Sequence, residues 1–363
     1  MKTFTVTFHH SNNYGALLQT YALQQTIIGL GIENTVFEYP YSDRYYDRLD
    51  LRRPKSAAVT AYCNWNKLIH KEAIKKRDES FRTFHRERLI LSPEFKTMDE
   101  LRAAEIDADV LITGSDQVWR FSGNKEFIPA RFLDFGSASA RRISYAASIE
   151  KLNYTDEQKE QVRKWLKPFG AVLLREESAR EYISEITGKK AVRVLDPVFL
   201  PSTQAWSKIA REPRVKEPYI LCYQVQSSSE MQRTADEVKK MTGYKTVAVL
   251  PGSLKHIKTD EAFYDVSPEE FIGLYQNSSA VVSGSFHGSA LGYLFKKPTY
   301  AAVRKSGSGR VLDLARLLGA DRFCIGEEDT VPAPGEFDVN AVQTRITAER
   351  ERSLGFLKNA LTE

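Results

Sequence analysis

The stretch that decides the fold runs from Ala280 to Ala301 and reads A-V-V-S-G-S-F-H-G-S-A-L-G-Y-L-F-K-K-P-T-Y-A. It begins with a short apolar run and a turn of small residues, and a helical pattern then follows His287 until Lys297 and Pro298 end it. This order predicts a strand, a tight turn, a helix and a second strand. His287 and several backbone N–H groups then lie at a helix start beside the carboxyl end of a strand. Open α/β sheets bind their ligands there, and helix N-termini favour anions.

The same alternation recurs along the chain and predicts an α/β protein with two Rossmann-like domains that face a cleft. A chain of 363 residues is also too long for one ordinary core. Strand-like runs occupy 3–9, 35–39, 109–113, 142–147, 171–174, 192–195, 219–224 and 246–250. A proline-containing segment without periodicity, 201–218, separates the halves. We therefore expect an N-terminal domain over 1–205 and a C-terminal domain over 206–363, with a final helix that packs across both.

Residues 41–105 differ in character and predict a basic helical insertion in the first domain. Between Asn64 and Arg88 there are eight Lys or Arg residues against four Asp or Glu residues. The spacing of the apolar residues within this segment is helical. A solvated charged face explains the pattern, and contact with a membrane surface or a lipid diphosphate is the alternative.

The composition restricts the class of ligand and the cellular compartment that we expect for this protein. Lys and Arg total 52 against 47 Asp and Glu, a net charge of +5, which suits an anionic ligand and does not indicate nucleic acid. The three scattered cysteines (Cys63, Cys222 and Cys324) form no disulfide or zinc pattern. The N-terminus lacks the apolar core of a signal peptide, and no window is apolar enough to span a bilayer. We expect a cytoplasmic protein, at most peripheral at the inner membrane.

Motifs for metals and common cofactors are missing from the sequence. The histidines form no H-x-x-x-H pair; they stand at 9, 10, 70, 85, 256 and 287. The one D-x-D, at 107–109, precedes its strand. No G-x-G-x-x-G follows the first strand, and no Walker A sequence occurs. We expect neither a metal site nor a bound cofactor.

Six segments, taken in order, carry a family resemblance. They are S-N-N-Y-G-A-L-L-Q-T-Y-A-L-Q at 11–24, L-I-T-G-S-D-Q-V-W at 111–119, R-I-S-Y-A-A-S at 142–148, R-E-E-S at 175–178, L-D-P-V-F-L at 195–200 and S-G-S-F-H-G-S-A-L at 283–291. Together they resemble the polysaccharide pyruvyltransferase family. The resemblance implies a fold like that of the GT-B glycosyltransferases. It also implies transfer of a pyruvyl group from phosphoenolpyruvate to two hydroxyls of a sugar, forming a cyclic ketal on a bacterial surface-polysaccharide precursor.

The donor site has to hold a phosphate and a carboxylate, which need forked cations and backbone N–H donors. Many family members carry R-L-H where this chain has S-F-H at 285–287, so another cation has to replace that arginine, and Lys297 and Arg310 are the candidates. Arg175 follows an apolar strand directly and is a further anion ligand, unless it is a structural arginine paired with a neighbouring glutamate. Ser285 and Gly288 offer backbone donors.

Two residues are candidates for proton transfer. His287 is the candidate general acid for the enol carbon of phosphoenolpyruvate, because imidazole titrates near neutral pH; the alternative is a histidine hydrogen-bonded in a turn. Asp116, in a turn after a buried-type strand, can accept a proton from a sugar hydroxyl, or it caps the next helical turn.

Candidate ligands for the sugar acceptor lie in the first half. They are Asn12, Asn13, Tyr14 and Gly15 before the first helix, and Ser144 and Ser148 around a strand terminus. The alternative for the loop is an ordinary helix-entry turn. His9 and His10 stand at the same strand end. The sequence leaves the acceptor sugar, its nucleotide or lipid carrier and the oligomeric state open.

Two other functions remain open. One is a glycosyltransferase that uses a nucleotide sugar on the same fold. The other is a protein that binds a glycan or a lipid diphosphate without catalysis, which the missing arginine keeps under consideration.

Overall fold

The computed structural model describes residues 1–39, 57–120, 128–149, 152–225, 228–250, 256–304 and 308–363. These residues form two compact units. Unit 1 comprises the described residues of 1–39, 85–201 and 348–363, and unit 2 comprises those of 57–84 and 202–347.

Unit 1 is built on a parallel sheet whose described strands lie in the order β3-β2-β1-β4-β5-β6-β7. The strands are β1 (Lys2–Val6), β2 (Glu33–Glu38), β3 (Leu91–Glu94), β4 (Val110–Thr113), β5 (Arg141–Ala147), β6 (Phe169–Leu174) and β7 (Val192–Arg193). Its helices are α1 (Tyr14–Gly29), α4 (Met98–Ala103), α5 (Asp156–Leu166) and α6 (Glu177–Thr187).

Strand β4, in the middle of the sheet of unit 1, is a short, largely apolar run because both faces of the sheet are covered there. In β4 all four residues are buried. Leu111 joins the hydrophobic cluster on one face, and its neighbours Val110 and Ile112 join the cluster on the other. This is the period of two expected for a strand buried on both sides.

Unit 2 repeats the plan in a second parallel sheet, whose described strands lie in the order β10-β9-β8-β11-β12-β13. The strands are β8 (Tyr219–Tyr223), β9 (Lys245–Val249), β10 (Glu261–Phe263), β11 (Ala280–Ser283), β12 (Thr299–Ala302) and β13 (Cys324–Ile325). The helices that follow residue 202 are α7 (Thr203–Ser207), α8 (Ser229–Thr242), α9 (Pro268–Asn277), α10 (Phe286–Leu294) and α11 (Gly309–Leu318).

Each sheet has the strand order of a doubly wound Rossmann fold, and the predicted class of two Rossmann-like α/β domains is confirmed. The direction of winding reverses between β1 and β4 in unit 1, and between β8 and β11 in unit 2. Ligands of such sheets bind outside the carboxyl ends of the strands at this switch point. The fold therefore predicts ligand binding at the carboxyl ends of β1 and β4 in unit 1 and of β8 and β11 in unit 2.

The basic helical insertion expected in the first domain is not confirmed. Residues 57–69 (α2) and 71–88 (α3) are helical, but 57–84 group with unit 2. The segment from 91 to 103 forms β3 and α4 of unit 1. Residues 41–56 of the expected insertion lie outside the described residues.

The last helix, α12 (Val339–Thr362), divides between the units: 339–347 group with unit 2 and 348–362 with unit 1. Leu357 and Leu361 pack into a core cluster of unit 1 with Leu23 and Ile27. The chain passes from unit 1 to unit 2 at Pro201, close to the predicted boundary at 205. Within the described residues, no helix combines the length and the apolarity that crossing a bilayer requires.

Candidate functional site

The stretch quoted first folds as predicted and places His287 at the switch point of unit 2. Strand β11 ends at Ser283, whose Oγ donates to the carbonyl oxygen of Tyr223 at 2.8 Å. The N–H of Ser285 donates to Ser283 Oγ at 3.2 Å, and Ser285 caps α10 by accepting from the N–H of Gly288 at 3.5 Å. This turn sets His287 in the first turn of α10, where 7% of the residue is exposed.

The same edge of unit 2 gathers the N-termini of α8, α10 and α11, which follow the adjacent strands β8, β11 and β12. Each helix N-terminus carries a partial positive charge. Arg310 lies in the first turn of α11, and the exposed Arg304 lies two residues after the end of β12. Acidic residues also lie at this edge: Glu230, whose Oε2 accepts from the hydroxyl of Ser228 at 2.7 Å, and the exposed Glu327, Glu328 and Asp329, which follow β13. Because β13 is separated from β11 by β12, the three helix starts and the two arginines favour an anion beside β11 and β12.

Lys297 does not belong to this edge. It lies between the C-terminus of α10 and the start of β12, at the amino edge of the sheet. The residues of α10 that follow His287, 288–294, put the end of the helix about 10 Å from His287 along the axis, and Lys297 lies beyond that end. Lys297, at the opposite edge, is therefore corrected as a substitute for the missing family arginine. Arg310 lies at the carboxyl edge and stays the candidate for that role.

Close packing around residue 288 requires a glycine there. A Cβ at this position would lie 2.1 Å from Oγ of Ser283 and 3.0 Å from Cδ1 of Tyr223. Because its N–H also serves Ser285, its predicted donation to a bound anion has no support in the geometry.

At the carboxyl edge of unit 1 the structure brings Arg175 together with three carboxylates. Arg175 Nε donates to Glu176 Oε1 at 2.8 Å and Nη1 donates to Asp196 Oδ2 at 2.9 Å, while Nη2 lies 3.5 Å from Asp116 Oδ1. The guanidinium side chain is 2% exposed. Burial lowers the pKa of Arg175, but the carboxylates of Glu176, Asp116 and Asp196 outweigh burial and raise it above its usual value.

This buried cluster, called the Arg175 cluster below, favours the structural alternative for Arg175. One cation among three carboxylates leaves a charge of −2, which opposes a highly charged anion and suits hydroxyl groups. Ser148 belongs to the same cluster, because its Oγ donates to Glu176 Oε1 at 2.9 Å. Asp116 has a φ of 70° and begins no helix, so the alternative of an N-cap is wrong.

The acceptor candidates in the loop before α1 are half-buried or buried. Asn13 caps α1, since its Oδ1 accepts from the N–H of Ala16 at 3.2 Å, while Tyr14 and Gly15 are buried in the helix that follows and Asn12 is half-buried. The helix-entry alternative therefore accounts for this loop.

Ser144 lies inside the sheet. It is fully buried in β5, where its Oγ donates to the carbonyl of Leu173 at 3.1 Å and accepts from the N–H of Leu173 at 2.9 Å. Because both bonds serve the sheet, the assignment of Ser144 as an acceptor ligand is corrected.

Sequence reasoning missed two features of the edges. Arg304 had a positional signal, as the first cation after a strand that borders β11. A group of potential metal ligands in unit 1, made of His9, His10, Glu38 and His85, had no such signal because its members come from distant segments. The expectation that no metal set is present concerned contiguous motifs and did not anticipate this group.

Comparison with known proteins places the chain in a family. The profile of the polysaccharide pyruvyl transferase family matches residues 13–306. A search of curated protein sequences found no significant match.

Solved structures share the fold at low sequence identity. An alpha-glucosyltransferase in complex with UDP and a 13-mer DNA containing an HMU base is 10% identical, with a TM-score of 0.50 over 99% of this chain and 95% of the other. A UDP-GlcNAc 2-epimerase from Neisseria meningitidis bound to UDP-GlcNAc is also 10% identical, with a TM-score of 0.46 over 99% and 94%. A UDP-GlcNAc 2-epimerase from Methanocaldococcus jannaschii is 9% identical, with a TM-score of 0.46 over 96% and 93%. Of these three, the likeness to the alpha-glucosyltransferase supports the fold and indicates nothing about the reaction. The family match covers most of the chain and agrees with the six segments, so this chain belongs to the polysaccharide pyruvyl transferase family.

Proposed function

We propose that this protein transfers a pyruvyl group from phosphoenolpyruvate to two hydroxyls of a sugar, forming a ketal on a surface-polysaccharide precursor. The observation that carries the proposal is the position of His287, in the first turn of α10 at the switch point of unit 2. The proposed donor is a cytoplasmic metabolite, so the proposal includes a cytoplasmic location.

Charge supports unit 2 as the donor side. Phosphoenolpyruvate carries close to three negative charges, and the edge at His287 offers three helix N-termini together with Arg304 and Arg310. The corresponding edge of unit 1 holds the Arg175 cluster with its net negative charge. The helix N-termini favour a trianion beside β11 and β12, and the net charge of the Arg175 cluster opposes one at the edge of unit 1.

The reaction combines protonation at C3 of the donor's double bond with the addition of two sugar hydroxyls at C2. His287 delivers a proton to C3, and positive charge develops at C2, where the phosphate oxygen shares it. One sugar hydroxyl bonds to C2 and loses its proton to a base. The C2–O bond to phosphate breaks, and the second hydroxyl bonds to C2 and gives up its proton, so that one ketal and one phosphate result.

The acceptor side is proposed for the Arg175 cluster. Asp116 retains 19% side-chain exposure, which allows its carboxylate to receive a hydroxyl proton. Oε2 of the buried Glu176 accepts no hydrogen bond from the described part of the chain, so the cluster keeps an acceptor for a sugar hydroxyl. Ser148 and the half-buried Asn12 complete the proposed contacts. The acceptor is linked to a nucleotide or a lipid.

The test measures phosphate release from phosphoenolpyruvate with and without candidate sugar acceptors. We expect release to require both, and His287→Ala to lower kcat by at least about 100-fold. The matched control is His70→Ala, a histidine of unit 2 that stacks on Tyr264 with ring centroids 3.6 Å apart, which should retain activity. Normal turnover by folded His287→Ala contradicts the proposal. Release of UDP from a UDP-sugar indicates a glycosyltransferase, and donor binding without turnover indicates a non-catalytic protein.

A lipid-linked acceptor would be met at a membrane surface, and α2 presents a face suited to one. Tyr62, Trp65, Leu68 and Ile69 are 45%, 61%, 65% and 54% exposed, and their spacing puts them on one side of the helix. The adjoining α3 holds seven Lys or Arg residues against four Asp or Glu residues. Apolar and aromatic side chains beside basic ones are typical of helices that lie on anionic membranes.

We therefore propose peripheral contact of α2 with an anionic bilayer. The measurement is co-sedimentation with vesicles containing anionic or only zwitterionic lipid. Binding to anionic vesicles that Trp65→Ser with Leu68→Ser abolishes supports the contact. Equal behaviour of the parent and this double variant contradicts it.

A further inference from the structure

Four side chains with metal-ligating atoms converge at the carboxyl edge of unit 1. His9 and His10 follow β1, Glu38 ends β2, and His85 lies near the end of α3. Their ligand atoms all lie within 4.8 Å of one another. The group comes from three separate parts of the sequence, so the topology of the sheet brings it together.

The distances within the group match those of a metal's coordination shell. His9 Nδ1 lies 2.6 Å from His85 Nε2, His10 Nδ1 lies 3.2 Å from Glu38 Oε1, and His85 Nε2 lies 3.8 Å from Glu38 Oε2. A tetrahedral zinc ion with ligands at about 2.05 Å places neighbouring ligand atoms about 3.3 Å apart. The observed distances bracket this value.

The orientation of His9 is that of a metal ligand. Its Nε2 lies 2.8 Å from the carbonyl oxygen of Phe37. Because a carbonyl only accepts, Nε2 carries the proton, and the lone pair of the neutral ring is on Nδ1, facing the group. Histidines that bind metals are commonly fixed in this way by a backbone carbonyl.

Hydrogen bonds within the group do not satisfy all of its acceptor atoms. The hydrogen bond between His9 Nδ1 and His85 Nε2 requires a proton on Nε2 of His85. That proton is donated to His9 and cannot also be donated to Glu38. Oε2 of Glu38 is buried and accepts no hydrogen bond among the described residues. A single cation at the centre would engage all four lone pairs at once.

We propose that His9, His10, Glu38 and His85 bind one divalent first-row transition metal ion. Three imidazoles and one carboxylate suit Zn²⁺ and exclude Mg²⁺ and Ca²⁺, which prefer oxygen ligands. Four protein ligands fill a tetrahedral shell, so the ion's role is structural. It fixes the end of α3 to the ends of β1 and β2.

The test uses the full chain without a polyhistidine tag, stripped with a chelator and titrated with Zn²⁺ against a chromophoric competitor. We expect one Zn²⁺ per chain and no uptake of Mg²⁺. Glu38→Gln and His85→Gln keep the side-chain size and should each weaken Zn²⁺ binding by about 100-fold or more. His70→Ala and His256→Ala, two histidines outside the group, should bind as the parent does.

Replacement of Zn²⁺ by Co²⁺ gives a second readout, because tetrahedral Co²⁺ absorbs visible light strongly. We expect this absorption in the parent and its loss in the Glu38→Gln and His85→Gln variants. The proposal is overturned if the parent binds less than about one-tenth of an ion per chain, or if Zn²⁺ affinity is the same in the two ligand variants as in the two controls. It does not depend on the proposed transferase activity.

Discussion

The most direct test of how unit 1 is built is the replacement of Arg175 by methionine. The change removes the cation of the Arg175 cluster and keeps most of the side-chain volume. It leaves Glu176 and Asp196, whose side chains are 3% and 0% exposed, without a counter-charge. We therefore expect a loss of stability and not a specific loss of donor binding.

The size of the loss follows from the burial. Breaking a buried ion pair by removing one partner costs about 3–5 kcal/mol, because a charge is left in a region of low dielectric. For a unit of this size that corresponds to a melting temperature lower by roughly 6–20 °C. The matched control is Arg180→Ala, an arginine of α6 that is half-exposed and pairs with Glu177 three residues earlier. Its loss should change stability by less than about 0.5 kcal/mol.

A double variant separates charge from packing. Asp196→Asn keeps the oxygen that accepts from the N–H of Val198 at 3.1 Å and removes one of the stranded charges. Combined with Arg175→Met, it should recover about 1–3 kcal/mol relative to the sum of the single changes.

The assay is thermal and urea unfolding, together with the KM for phosphoenolpyruvate of each folded variant. Unchanged stability of Arg175→Met with a KM raised tenfold would refute the reasoning and make Arg175 a donor ligand. Additive effects in the double variant would equally show that Arg175 and Asp196 do not share a charge balance.

Three further outcomes follow from the described contacts. Arg310→Ala should raise the KM for phosphoenolpyruvate roughly tenfold while the melting temperature stays the same; steady-state kinetics check this, and an unchanged KM removes Arg310 from the donor site. Gly292→Ala should lower stability, because its Cβ would lie 2.2 Å from a hydroxyl oxygen on β12, whereas Gly355→Ala, with nothing within 4 Å, should raise it by about 0.5–1 kcal/mol; thermal unfolding decides the signs. Burial raises the pKa of Cys222 and of Cys324 to about 12, so about one thiol in 10⁴ is ionised at pH 8. Mass spectrometry of alkylated native protein should then find both unmodified, and rapid labelling of either contradicts this.

Long, strongly patterned elements were predictable from the sequence. The strand predicted over 142–147 is β5 (Arg141–Ala147). The capping box of α5, between Thr155 and Gln158, is a local signal that needs no tertiary context. Strands buried on both faces are likewise visible as continuous apolar runs.

Short edge strands were not predictable. Strand β3 (Leu91–Glu94) reads L-S-P-E, and two of its four residues are exposed. It shows no alternation, contains a proline and is held in place by its pairing with β2. The sequence therefore assigned it to the insertion. Similarly, β10 has three residues and depends on β9 for its existence.

The placement of a candidate residue could be predicted from the sequence where its neighbours in space are also its neighbours in the chain. The position of His287 followed from a contiguous strand-turn-helix pattern, and the structure confirms that placement. The partners of Arg175 come from three different strand ends, Asp116, Glu176 and Asp196, so spacing could suggest only the neighbour in sequence. His85 lies near the end of a helix that begins in the other unit, and nothing in a one-dimensional pattern links it to Glu38.

The departure from the family pattern at residue 285 now has a physical interpretation within the proposed function. Ser285 is the N-cap of α10, and a serine there satisfies a backbone N–H that an arginine side chain could not accept from. The cations of this edge, Arg304 and Arg310, instead follow β12 in the sequence, and β12 pairs directly with β11. Adjacent strands lie about 4.8 Å apart, a distance that an arginine side chain spans. A cation on the neighbouring strand can thus reach the same anion. Ser285, at the position of the family arginine, stabilises the N-terminus of α10, and the partial positive charge of that N-terminus also attracts the anion.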